Sequence, residues 1–98
     1  MHARIGSYQF KPGQGPEVAR RAEEGMIPIF QRATGFRGYV VVLTEGDSGY
    51  SISFWDTEPQ ATAATQAAAD WVRANIAGMV ESVQNHVGDV SFIRMAGQ

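Results

Sequence analysis

The sequence predicts an α+β domain of the ferredoxin-like kind, β-α-β-β-α-β with a four-stranded antiparallel sheet, and three observations carry that expectation. Residues 36–55 read as two strands joined by a glycine-rich loop. Residues 18–33 and 61–76 carry apolar residues at spacings of three and four, and a strand pattern stands near either end. With 98 residues there is room for one domain only, spanning 1–98. A domain this small has a modest core, so association is a natural source of further burial.

In the first strand, residues 3–10, Arg4, Gly6, Tyr8 and Phe10 share one face and Ala3, Ile5, Ser7 and Gln9 the other. Lys11-Pro12-Gly13-Gln14-Gly15 is turn chemistry. A helix starts at Pro16, tolerated in a first turn because its missing N–H would have no intrahelical partner. Val18, Ala22, Met26, Ile29, Phe30 and Ala33 form its apolar face, and Gly25 and Pro28 inside that pattern predict a kink or break near Met26. Gly35 suits a positive-φ stop, and Phe36–Thr44 follows as the second strand. Its centre, Tyr39-Val40-Val41-Val42-Leu43, does not alternate, so both faces must be dry. After the loop Glu45-Gly46-Asp47-Ser48-Gly49, the third strand alternates cleanly, Tyr50, Ile52 and Phe54 opposing Ser51, Ser53 and Trp55.

Thr57-x-x-Gln60 is a capping-box pattern and opens the second helix, whose stripe Ala61, Ala64, Ala68, Trp71 or Val72, and Ile76 is mostly alanine in its first half. Gly78 ends it, Met79–Asn85 reads as an added turn, and Val87–Met95 as the fourth strand. In such a topology both helices cover one sheet face. The apolar second strand and the Tyr-x-Ile-x-Phe side of the third would leave a greasy patch on the other. A second copy, sheet against sheet about a two-fold axis, is the economical cover for Val41 and its neighbours. The plainer reading is a monomer with a greasy sheet.

Composition excludes several functions. No cysteine means no disulfide, thiolate nucleophile, Cys-ligated zinc or iron–sulfur cluster, and it fits a reducing compartment. Eight Lys+Arg against ten Asp+Glu give a net charge of -2, with the basic residues scattered, which argues against nucleic acid as a partner. No apolar run approaches a membrane span and no signal-peptide core follows Met1, so a soluble, cytoplasmic protein is expected. Two histidines, His2 and His86, are too few for a His-rich metal site, and no metal is expected. No nucleotide-binding glycine fingerprint follows a strand.

The candidate chemistry rests on few residues. The imidazole of His86 would suit a general base if it reached a pocket; as a strand-entry cap it would do nothing chemical. Tyr8 is the other candidate base. Trp55 with Ser51 and Ser53 could line a helix-side pocket that stacks a flat ligand, or Trp55 could be core filler. Arg4 and Trp71 are further lining candidates, since a buried Arg would orient a phenolate or carboxylate. Gly46-Asp47-Ser48-Gly49 spells the peptide around a trypsin-like nucleophile, but a chain this small lacks the rest of that machinery, and the segment reads as a hairpin turn.

Gly35-Phe36-Arg37-Gly38, the apolar strand, the glycine-rich hairpin, Ser51-Ile52-Ser53-Phe54-Trp55-Asp56 leading into Pro59-Gln60-Ala61, and Trp71-Val72 together resemble the antibiotic biosynthesis monooxygenase-like (ABM) domain family of the dimeric α/β-barrel superfamily. Lys11-Pro12-Gly13 and Pro28 extend the likeness over nearly the whole chain. The resemblance implies a homodimer through the open sheet faces, forming a barrel, with a pocket in each subunit between sheet and helices. It also implies one of several activities: cofactor-independent oxygenation of polycyclic phenols, haem degradation, or none. The haem-degrading pattern of a first-strand Asn with a Trp and a His by the second helix is absent. Arg73 and Asn75 match no position of the cofactor-independent pattern. The expectation is therefore a monooxygenase-like protein with no cofactor, holding a small aromatic or apolar molecule; the alternative is a non-catalytic dimeric ligand-binding or stress-response module.

Overall fold

A computed structural model describes residues 1–97. The chain runs β1 (His2–Phe10), α1 (Gly15–Gln31), β2 (Phe36–Thr44), β3 (Ser48–Trp55), α2 (Glu58–Asn75), a 3-10 turn (Ala77–Met79) and β4 (Val80–Asp89). The sheet is antiparallel in the order β2-β3-β1-β4, with both helices on one face. This is the ferredoxin-like α+β architecture that the pattern of elements predicts.

Most elements follow from local chemistry. The capping box of α2 is formed, with Gln60 N–H donating to Thr57 Oγ1 (3.4 Å) and Thr57 N–H to Gln60 Oε1 (3.1 Å). Gly35 takes a φ of +86° where α1 hands over to β2, a conformation open to glycine without strain. In the hairpin, Gly46 and Asp47 both have positive φ, and Asp47 ties the turn to its surroundings. Its carbonyl accepts from Phe10 N–H (2.7 Å) and its carboxylate from Gly13 N–H (3.0 Å). Asp47 thus serves the turn, and Ser48 is the first residue of β3.

Two sequence expectations need correction. Helix α1 continues unbroken through Pro28, which sits in the last turn, where the helix has little left to lose. Gly25 is there for packing: a Cβ on it would stand 2.7 Å from Trp71 Nε1, so glycine lets the indole of α2 close on α1. The fourth strand is Val80–Asp89, not Val87–Met95. Its residues are mostly polar because it lies at the sheet edge. Backbone pairing with β1, from Phe10 opposite Val80 to His2 opposite Asp89, selects it where an apolar period does not. Beyond Val90, whose N–H donates to Met1 O (2.9 Å), the apolar tail holding Phe92, Ile93 and Met95 is outside the sheet and exposed.

The core has two lobes. Phe30 and Trp55 anchor the larger one, ring centroids 5.3 Å apart and nearly perpendicular, against Ala22, Met26, Ala61, Ala64 and Ala68. Each large ring buries about 150–250 Å². At about 25 cal/mol per Å², that is up to about 4–6 kcal/mol apiece. The alanines contribute little area of their own; they let α2 lie close. The smaller lobe is Phe10, Val18 and Ile76.

On the sheet's other face, the register aligns Ile5 with Ile52 and His86, and Val40 and Val42 with Ile52 and Tyr50. Val40, Val42 and Tyr50 are each about two-fifths exposed there. Val41, expected on this face, points the other way, toward the helices.

Candidate functional site

Alternation along β1 sends Arg4, Gly6 and Tyr8 under the helices, and the register places Ser51 of β3 and Asn85 of β4 on either side of Gly6. Arg4 is fully buried, at 1% exposure. Its guanidinium donates from Nη1 to Ser51 Oγ (2.9 Å) and from Nη2 to Tyr8 Oη (2.8 Å) and Asn85 Oδ1 (2.9 Å). None of these acceptors is a carboxylate, and its Nε–H is buried without a partner among the described residues. The side chain has room only because residue 6 is glycine: a Cβ there would meet Arg4 Nη2 at 2.6 Å and Tyr8 Oη at 2.8 Å.

Around this polar cluster are two hollows. An inner cavity of about 30 Å³ lies between the sheet and both helices, lined by Arg4, Tyr8, Tyr39, Ser51, Trp71 and apolar residues including Val18, Met26 and Val41. An outer cleft of about 160 Å³ lies between α2 and β4, lined by Arg4, Tyr8, Ala69, Val72, Arg73, Val83 and Asn85. Arg4, Tyr8 and Val72 belong to both and form the wall between them. From Arg4, polarity runs on through Ser51, whose hydroxyl donates to Tyr39 Oη (3.4 Å). Burial pushes the Tyr39 hydroxyl above the usual tyrosine range, and the Ser51 hydrogen bond works in the opposite direction.

The residues singled out from sequence divide between this site and other places. Arg4, Tyr8, Ser51 and Trp71 line the inner cavity. Ser53 and Trp55 do not: Trp55 Nε1 donates to Ser53 Oγ (2.9 Å), and the pair is sealed in the large core lobe against Phe30 and Phe36. Trp55 is core filler, because the aromatic cluster closes over it before the cavity begins. His86 is also elsewhere. Its neighbour Asn85 faces the helices, so strand alternation turns His86 to the open face, opposite Ile5 and away from Tyr8. As a base for this cavity it has no reach.

Two lining residues escaped sequence reading. Asn85 was hidden by assigning its segment to a turn; pairing β4 with β1 from Phe10 backwards would have placed it beside Gly6. Tyr39 was absorbed into an apolar run, although its hydroxyl was a sign that one side of that strand meets polar groups.

Among the described residues no cluster of three or more His, Asp or Glu side chains could hold a metal ion, and no helix is long and apolar enough to cross a membrane. Haem does not fit the residues present. Neither histidine lines either hollow, and both hollows are well below the roughly 300–1,000 Å³ of drug-sized sites.

Residues 1–75 match the family model described as antibiotic biosynthesis monooxygenase. No curated protein matches the chain by sequence. Among solved structures, it is similar to the NE2512 protein of Nitrosomonas europaea, of unknown function, at 17% identity and a TM-score of 0.76, covering 99% of this chain and 95% of that one. It is similar to the haem-degrader MhuD of Mycobacterium tuberculosis, which has two haems bound in its active site. There the identity is 15%, the TM-score 0.75, and the coverage 97% and 100%. Protein Atu4242 of Agrobacterium tumefaciens is similar at 20% identity and a TM-score of 0.65, over 91% and 92% of the two chains. At these identities the likeness is one of fold.

Proposed function

Because the chain belongs to the antibiotic biosynthesis monooxygenase family, we propose that it is a cofactor-independent, monooxygenase-like protein that holds a small aromatic or apolar molecule between sheet and helices. The observation that carries this reading is the inner cavity, apolar over most of its lining and closed at one end by Arg4, Tyr8, Ser51 and Tyr39. A flat ligand meets Trp71 and Val72 on its apolar side and hydrogen-bonding groups on the other. The inner cavity, about 30 Å³, is the size of a single water, so a ring enters it only as the helices part, whereas the outer cleft of about 160 Å³ has room for one or two rings.

In the chemistry proposed, a weakly acidic C–H or O–H of the substrate ionises, its proton passing to water, and the Arg4 guanidinium and the Tyr8 hydroxyl hydrogen-bond the resulting anion. The resulting carbanion reduces O₂ and forms a C–O bond. Collapse of the hydroperoxide at a CH₂ carbon gives a ketone; one oxygen atom stays in the product and the other leaves as water. The buried Arg4 charge favours the anionic form of the substrate over the neutral one.

The second reading, a non-catalytic ligand-binding module, is favoured by one observation: among the described residues neither hollow is lined by a carboxylate or an imidazole. Oxygen uptake separates the two. A panel of anthrone- and quinol-like compounds should give uptake above buffer that falls at least tenfold in Tyr8→Phe. Binding without uptake across the panel would leave the second reading in place of the first.

The pairing of two copies through the open sheet faces belongs to the same proposal. Its support is the exposure of Val40, Val42 and Tyr50 side by side on that face, with Phe92, Ile93 and Met95 exposed in the tail.

A further inference from the structure

The guanidinium of Arg4 has no counter-charge. It is 1% exposed, its three hydrogen bonds go to a serine, a tyrosine and an asparagine, and its Nε–H is buried with nothing to donate to. The other arginines with ion pairs, such as Arg20 with Glu17 and Arg37 with Asp56, find them on the surface. An ion taken out of water without a partner is among the costliest things a small domain can carry, and buried charges are ordinarily paired. The charge also lies at the wall between the two hollows, where a ligand in either one would touch it. Next to it the outer cleft offers Ala69, Val72 and Val83, an apolar bed with the unpaired Arg4 at its inner end, while the other cation of the lining, Arg73, is already paired with Asp70.

From that juxtaposition we infer that the ligand of this site is a monoanion with an apolar body, its carboxylate or phenolate oxygen completing the hydrogen bonding of Arg4 and its body lying against α2. This rests on the proposed ligand pocket and narrows its chemistry. It also assigns a positioning role to Gly6: the strand must lack a side chain there for the guanidinium to reach Tyr8 and Asn85 across it.

Calorimetric titration with naphthoate, its methyl ester and para-nitrophenol tests it. Hydrogen bonds to a charged group are worth about 1.5–3 kcal/mol, so the acid should bind about tenfold or more tighter than its ester. In Arg4→Met that preference should vanish while the ester still binds. Should Arg4→Met fail to fold, the acid-to-ester ratio of the wild type decides alone. Para-nitrophenol distinguishes the two anions: affinity rising as the probe ionises assigns a phenolate, and preference for naphthoate alone a carboxylate. Equal binding of acid and ester overturns the inference and leaves the aromatic pocket standing; no binding by any probe counts against both. A tyrosinate absorbance band in the ligand-free protein at neutral pH, absent from Tyr8→Phe, would put the missing charge on Tyr8 and overturn the inference too.

Discussion

Replacing Gly6 with alanine probes the site with one methyl group. The new Cβ would stand 2.6 Å from Arg4 Nη2, 2.8 Å from Tyr8 Oη and 2.9 Å from Tyr8 Cε2, where ordinary contact needs at least 3.4 Å. Guanidinium and phenol must therefore retreat by most of an ångström. The guanidinium has nowhere free to go, because its 2.9 Å bonds to Ser51 and Asn85 hold it from two sides. Overpacking of this kind costs about 1–3 kcal/mol, offset by about 0.5–1 kcal/mol from replacing a strand glycine. From the middle of those ranges, a net loss of about 1 kcal/mol lowers the melting temperature by roughly 4–8 °C in a domain of this size. Gly78→Ala, where nothing stands within 4 Å and φ is not positive, is the control and should melt close to wild type. Circular-dichroism melts of the three proteins decide it. If Gly6→Ala melts at or above the wild-type temperature, the guanidinium does not occupy the space over residue 6 and the site's geometry is wrong.

Other consequences are open to direct measurement. Thr57→Ala removes the capping acceptor of α2 and should cost about 1 kcal/mol, read as a drop of roughly 4–8 °C in the same melts. Arg20 and Arg21 lower the Glu17 carboxyl from 4.5 to about 2, so its contribution is whole above pH 4.5 and is lost as pH falls through about 2. Acid titrations should therefore show Glu17→Gln losing stability less steeply than wild type across that window, and identical slopes would dismiss the pairing. Val42→Glu places a charge on the open sheet face. Sedimentation at micromolar concentration should give dimers for wild type and single chains for the variant, and single chains for both would remove the face-to-face assembly.

What was legible in the sequence was whatever local chemistry decides. Thr57-x-x-Gln60, Gly35 and the Gly46-Asp47 turn announced their structures because capping and positive φ are properties of a few adjacent residues. The alternation of Arg4, Gly6 and Tyr8 likewise gave their shared face. The fourth strand was misread because an edge strand is chosen by its neighbour's free hydrogen-bonding groups, and Glu81-Ser82-Val83-Gln84-Asn85 carries little apolar signal for it. That error hid Asn85 and put His86 at a strand entry instead of on the outer face. Trp55 shares its face with Ser51, which lines the cavity, but only the packing of Phe30 and Phe36 reveals that it lies beyond the cavity wall. The bare charge of Arg4 was also invisible, since a missing partner is a property of the folded surroundings.

Intermolecular nuclear Overhauser contacts with bound naphthoate test the account at its centre, the claim that the ligand lies between sheet and helices. The account predicts contacts from the naphthyl protons to Tyr8, Val72 and Val83. Contacts to Ile5, Ile52 and His86 instead would place the ligand on the opposite face of the sheet and contradict it.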